Sequence, residues 1–502
     1  MAKRSDIRPA ASPVQAEFAR AVALHQGGQV DEAERVYRAI LKSQHRHFDA
    51  ARLLGIIFLQ RGDAAAAEAQ LARALKYPPG DPANPNLGEA YNYRGVALTR
   101  LRRFADALDC FERALAIRPG HVTALSNRAA ALLELGRLDE CFAASEALIA
   151  AQPRFAEAHH TRARVLYGWG RFTEAIAGYD QAVALQKDFH DAFYSRGHAR
   201  LLTGDYAAGW LDCEHRLLTA EYKGAPVLPA SVTSADFRDK RVMLGAEQGI
   251  GDEIMFASMI PDLMRDAGSV TVECDRRLCR LYERSFPGIV ARPRDMTERW
   301  KAADYYHVFT AGSLGRLYRN TLADFPQRDS FLTPDPAAVA QWSARLAGLG
   351  EGRRIGISWK GGIDRTRRGT RSIPLEQWAP VFALPSVHFV SLQYGEVKDE
   401  VARAVRALGK PITCFEKAEI DDFDALAGLV SSLDLVVTVQ TALVHLCGAL
   451  GKTCKVFVPY IPEWRYGATG DRMPWYRSVR LYRQDQPDDW SGPLARVAAD
   501  LA

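Results

Sequence analysis

Two hydrophobic rhythms divide this chain. From about Val14 to Tyr222, small and apolar residues return with a period of about 34 residues, which predicts a stack of helical hairpins. Gly55, Gly95, Ala129, Ala163 and Gly197 stand where two helices must approach closely, and Gly62, Gly136, Gly170 and Gly204 mark the loops that follow. Each second helix carries a small residue and then a large one a turn on: Ala33 and Tyr37, Ala67 and Leu71, Ala107 and Phe111, Ala175 and Tyr179. After Phe237 the rhythm changes. Arg241–Ala246 reads as a short strand, then a glycine turn and an amphipathic helix, with further strands at Ser269–Glu273 and Ala303–Phe309. A second such series opens at Arg353 and continues through strands at Val387–Leu392, Val436–Val439 and Cys454–Val458. Strands alternating with helices predict parallel sheets covered by helices.

The first rhythm is the tetratricopeptide period. About six units are expected over 14–223, the first and last atypical, because no helix pair buries its apolar face without neighbours. Stacked, they form a curved groove suited to an extended polypeptide, or a plain spacer. Trp210 is expected to seal the end of the array, and Gly224–Asp239 reads as a linker.

With 502 residues the chain needs two or three domains. A net charge of +5 is too small for this length to argue for nucleic acid. The eight cysteines show no C-x-x-C pair and no Cys/His ligand spacing, so neither a disulfide framework nor a zinc site is expected. With no apolar leader and no run long enough to span a membrane, a cytoplasmic protein is expected.

Three stretches carry candidate chemistry. In Glu247-Gln248-Gly249-Ile250-Gly251-Asp252, the glycines would let a substrate approach the backbone. Asp252 either faces a cleft as a proton acceptor or caps the helix; both readings stand. The loop from Lys360 to Pro374 holds five cationic side chains, among them Lys360, Arg368 and Arg371, with three glycines, which suits a diphosphate as well as it suits solvent. Leu433–Lys452 reads as a strand buried on both faces that turns at Gln440-Thr441-Ala442 into a helix with Leu443, Leu446 and Leu450 on one face. A helix start of this kind favours an anion, with Thr441 as cap and His445 one turn on as a donor; a buried strand and helix with a core histidine is the plainer alternative. In open α/β sheets ligands sit beyond the carboxyl ends of the strands, so the last two stretches can face one site.

The motifs GAEQGIGDEIMFA (245–257), RIGISWKGG (354–362), RRGTRSIPLEQWAPV (367–381), FVSLQYGE (389–396), LDLVVTVQTALVHLCGALGK (433–452), PEWRYG (462–467) and MPWYRSVRLYRQ (473–484) resemble, in order, the bacterial tetratricopeptide-repeat glycosyltransferases related to ADP-heptose heptosyltransferases. The resemblance implies a GT-B plan of two Rossmann-like halves. It implies Asp252 as general base, Arg371 on the donor phosphates, and Thr441, Ala442 and His445 on the nucleotide-sugar diphosphate. It also places Gln393 and Tyr394 near the nucleoside. Where that family usually has Asp before the turn threonine, this chain has Gln440, which keeps hydrogen-bonding capacity and loses the charge.

The fold expected is therefore α plus α/β: a repeat array at 14–223, a first half at 224–345, a nucleotide-sugar-binding half at 346–485 and a terminal helix at 486–502. The function expected is transfer of a sugar from a nucleotide-activated donor, without metal or other cofactor, to a protein hydroxyl presented by the repeats. Family association makes flagellin the specific acceptor. Two alternatives are a lipopolysaccharide-type heptosyl transfer and a non-catalytic adaptor with a degenerate transferase domain.

Overall fold

The computed structural model describes residues 13–219, 222, 224–294, 305–362 and 368–502, except the Arg368 side chain. The chain packs as two units. One takes the described residues up to Gly168 with Ala177–Lys187; the other takes Trp169–Ile176 and everything from Asp188 onward.

Among the described residues, twelve helices precede the first strand: α1 (Pro13–Gln26), α2 (Val30–Ser43), α3 (Phe48–Gln60), α4 (Ala64–Lys76), α5 (Pro85–Arg100), α6 (Phe104–Ile117), α7 (Val122–Glu134), α8 (Leu138–Ala151), α9 (Ala156–Gly168), α10 (Phe172–Leu185), α11 (His190–Thr203) and α12 (Tyr206–Cys213). The small residues sit where helices touch. A Cβ on Gly55 of α3 would stand 2.6 Å from Leu71 Cγ of α4, and one on Gly95 of α5 would strike the Phe111 ring of α6. The hairpin loops turn through left-handed residues, Gly28, Gly62 and Gly136, but the α5–α6 loop does so with Arg102 at φ 60°. A side chain there meets its own backbone, so the position is strained.

In the second unit α11 and α12 precede two sheets. The first has strands β1 (Arg241–Gly245), β2 (Ser269–Cys274), β3 (Val290–Pro293) and β4 (His307–Thr310) in the order β3-β2-β1-β4, all parallel. Ala303 and Asp304, the expected start of the last of these, lie outside the described residues. The helices of this half are α13 (Ile250–Ala257), α14 (Ile260–Asp266), α15 (Cys279–Ser285) and α16 (Leu314–Tyr318), and α17 (Pro336–Ala347) leads onward.

The second sheet has β5 (Arg353–Ser358), β6 (Val387–Ser391), β7 (Ile412–Thr413), β8 (Leu435–Val439), β9 (Cys454–Val458), β10 (Arg472–Met473) and β11 (Tyr476–Arg483), ordered β10-β11-β9-β8-β5-β6-β7. Only its β10–β11 edge is antiparallel. Its helices are α18 (Ala379–Phe382), α19 (Lys398–Leu408), α20 (Lys417–Ile420), α21 (Phe423–Ser432), α22 (Ala442–Ala449) and α23 (Ser491–Leu501). Central β8 is buried along its whole length, as its largely apolar, β-branched run predicts. Helix α17 runs across the 345/346 division drawn from the sequence and packs on α21, where a Cβ on Gly428 would stand 2.8 Å from Ala338 Cβ. The terminal α23 puts Leu494, Val497 and Leu501 into the core of the second sheet.

The last hairpin is welded to the first sheet. Trp210 is buried, its indole Nε1 donates to the Arg319 carbonyl at 2.8 Å, and Gly315 leaves room for its ring. Arg216, just past α12, forks onto buried Glu247 with two 2.8 Å contacts and also reaches Thr310 at 2.9 Å.

Candidate functional site

The carboxyl ends of β1 and β8 bring two helix starts together. Beyond β1 the chain passes Gln248, which is left-handed at φ 60°, and enters α13 at Gly249. Beyond β8 it turns at Gln440-Thr441, where the Thr441 hydroxyl caps α22 by accepting from Leu443 N–H at 3.2 Å. The two starts touch at Gly251: a Cβ there would lie 3.1 Å from Ala442 Cα and 3.2 Å from His445 Cδ2. The small size of Gly251 is thus spent on helix packing, not on substrate approach alone. Gly249 has open space, its nearest neighbour being the Asp252 carboxylate at 3.7 Å.

A cavity of about 630 Å³ opens between the two sheets, a size usual for small-ligand sites. Gly249, Gly251, Asp252, Arg371, Gln393, Gln440, Thr441, Ala442 and His445 all line it. Asp252 both lines the cavity and caps the helix. Its Oδ2 caps α13 by accepting from Gly249 N–H at 3.3 Å, while Oδ1 takes the Arg465 guanidinium at 2.6 Å. Burial raises the Asp252 pKa above the ordinary carboxylate value, and Arg465 offsets part of that rise.

His445 is buried, its Nδ1 3.1 Å from the Tyr476 hydroxyl. Burial, with Arg465 nearby, holds its pKa well below the imidazole norm, so the ring is neutral at pH 7. A neutral ring has one N–H, which lies on Nε2 when the Tyr476 hydroxyl donates to Nδ1. It can donate a hydrogen bond to an anion there but brings no positive charge.

Other expectations are corrected. Lys360 does not line the cavity; its ammonium sits on Glu400 of α19. The Gln393 amide is committed to the chain at and just beyond the end of β5: Oε1 accepts from Ser358 Oγ, Trp359 N–H and Lys360 N–H at 3.0, 2.9 and 2.8 Å, and Nε2 donates to the Lys360 carbonyl at 3.2 Å. Its amide thereby fixes the cavity wall that it lines. Tyr394, half exposed, donates to the Gly362 carbonyl at 2.9 Å and stays on the wall. The Arg368 side chain and Ile363–Arg367 lie outside the described residues. Arg371 is in place, 3.6 Å from Glu463. Gly361 lets two turns close up, since a Cβ there would meet the Gln440 and Arg371 carbonyls at 2.6 and 2.9 Å. Gln440 is 2% exposed, and neither its Oε1 nor its Nε2 has a hydrogen-bond partner.

Residues the sequence did not single out complete the cavity. Glu463 and Arg465 face it from the loop before β10, inside the PEWRYG stretch. Leu392, Phe415, Phe423 and Leu426 give it an apolar end, where Arg277 from the first half lies 5.2 Å over the Phe423 ring. The Asp424 carboxylate binds Arg284, and Asp422 caps α21. Among the described residues no cluster of three His, Cys, Asp or Glu could hold an ion, and no helix is long and apolar enough to cross a membrane.

Comparison with known proteins matches the repeats and, for one relative, a stretch longer than the repeat array. Tetratricopeptide-repeat profiles match residues 88–121, 18–85 and 160–209. Protein FlbA of Caulobacter vibrioides is 35% identical over 321 residues, 60% of this chain and 53% of FlbA, so the chain spans about half the length of that relative. Among solved structures, the tetratricopeptide protein YrrB is 19% identical, covering 36% of this chain and 90% of its own at a TM-score of 0.32. PilW, a type IV pilus biogenesis factor, is 20% identical, covering 43% and 98% at 0.36. The chain is a tetratricopeptide-repeat-containing protein whose repeats lead into an α/β region with two largely parallel sheets.

Proposed function

We propose that this chain is a glycosyltransferase of the GT-B plan, related to the heptosyltransferases, that moves a sugar from a nucleotide-activated donor to a hydroxyl of a protein acceptor. The observation that carries it is a single cavity joining Asp252 from the β1–α13 turn to Arg371 and the Thr441–His445 turn of the other half. Asp252 would accept the proton of the acceptor hydroxyl. Arg371, the α22 start and the His445 N–H would stabilise the departing phosphate as its charge develops. The apolar end suits a nucleobase and the tetratricopeptide groove an extended polypeptide, with a flagellin serine or threonine as the specific acceptor by family association.

The test is a thermal-shift screen of ADP, UDP, GDP and CMP against wild type and Arg371→Ala, followed by turnover of the matching sugar nucleotide in wild type and Asp252→Ala. A nucleotide bound at a hundredfold its Kd adds about 2.7 kcal/mol. A shift lost in Arg371→Ala and turnover lost in Asp252→Ala support the transferase. A second reading, a binding adaptor that recruits partners through its repeats, draws on the matched repeats and on Asp252 being held by Arg465. Absence of both shift and turnover favours it.

A further inference from the structure

The loop Pro462–Gly467 alternates anchors with charges. Trp464 and Tyr466 are buried at 7% and 1% exposure, the former against Trp210 with ring centroids 5.3 Å apart. Glu463, before Trp464, and Arg465, between the two anchors, face the cavity. Each charge meets a residue of the proposed machinery: Glu463 lies 3.6 Å from Arg371, and Arg465 Nη2 lies 2.6 Å from Asp252 Oδ1. The Arg465 guanidinium carbon rests 5.3 Å from the Trp464 ring centroid, so the side chain is held at a set height over the cavity. Its Nε is buried without a hydrogen-bond partner.

A guanidinium so removed from water needs an anion, and Asp252 supplies one. The pair makes Asp252 a weaker proton acceptor than its burial alone would, because protonation would leave the guanidinium unpaired. A diphosphate entering the same cavity offers Arg465 a stronger, multidentate partner.

We infer that Arg465 is a phosphate ligand that Asp252 holds by ion pairing, so that donor binding exchanges carboxylate for phosphate and frees Asp252 to act as base. The site is then ordered, donor before acceptor. This rests on the donor reading above but has a readout independent of turnover.

The experiment is calorimetric titration of inorganic pyrophosphate, ADP, UDP, GDP and CMP into the full chain and into Asp252→Asn, Arg465→Gln and the double variant, each checked for wild-type circular dichroism. Arg465→Lys serves as a second variant should Arg465→Gln not fold. Asp252→Asn should tighten phosphate binding about tenfold by releasing Arg465, and that gain should vanish when Arg465 is Gln. A gain of equal size in both backgrounds is simple charge repulsion and overturns the exchange, as does an Arg465→Gln protein that binds like wild type. Nucleotide binding without the coupling leaves the donor reading standing and removes the inference. Pyrophosphate binding with the coupling but no nucleotide binding does the reverse. No binding to any of the variants ends both.

Discussion

Single residues in this protein do work that their type does not announce. Arg102 takes the left-handed turn its neighbouring hairpins give to glycine. Arg102→Gly should therefore stabilise the repeats, by about 0.5–1 kcal/mol after the unfolded-state cost of glycine, read as a higher midpoint in calorimetry. Gln393 holds three donors from the end of β5 and the two residues after it. Truncation to Ala orphans them and should cost about 2–4 kcal/mol in urea unfolding followed by tryptophan fluorescence, since Trp359 lies beside it. His445 is depressed by burial. As pH falls below about 6.5 the unfolded chain gains a proton that the folded ring refuses, so stability drops with acid. His445→Gln should flatten that acid limb in a Tm-against-pH series; an unchanged slope would assign it to other groups.

At the scale of elements, the contact that makes the cavity is α13 against α22. Gly251 permits it, because a methyl group there presses on the Ala442 backbone, which cannot rotate away. Gly251→Ala should push the helix starts apart and raise amide exchange in residues 441–446, with far less change in β8. Equal exchange in wild type and variant would show that the two helices do not lean on that position.

For the second unit as a whole, the last helical hairpin is part of the α/β body. The Arg216–Glu247 pair lies at 2% and 0% exposure and sits directly before the Gln248–Gly249 turn. Breaking one side of such a pair typically costs about 3–5 kcal/mol, whereas replacing both partners with apolar groups costs much less. Arg216→Met should therefore lower the melting temperature more than Arg216→Met combined with Glu247→Leu. Limited proteolysis should cut first near residue 219 in the single variant.

The sequence by itself settled the local matters. Helical repeats showed in the 34-residue spacing of Gly95, Ala129, Ala163 and Gly197, because close helix packing admits only small side chains. Central β8 showed in its largely apolar, β-branched run, because both of its faces are covered. Thr441 as a helix cap and Asp252 in a glycine turn were legible for the same reason: caps and turns are decided by near neighbours. What lies opposite each residue was not legible. Lys360 pairing with Glu400, Gln393 turned inward, Gly251 spent on helix contact and Arg465 set on Asp252 from 213 residues away all depend on how separate strands and helices are stacked. Spacing along a chain reports on neighbours in that chain; ion pairs and cavity walls are made by residues that only the tertiary fold brings together.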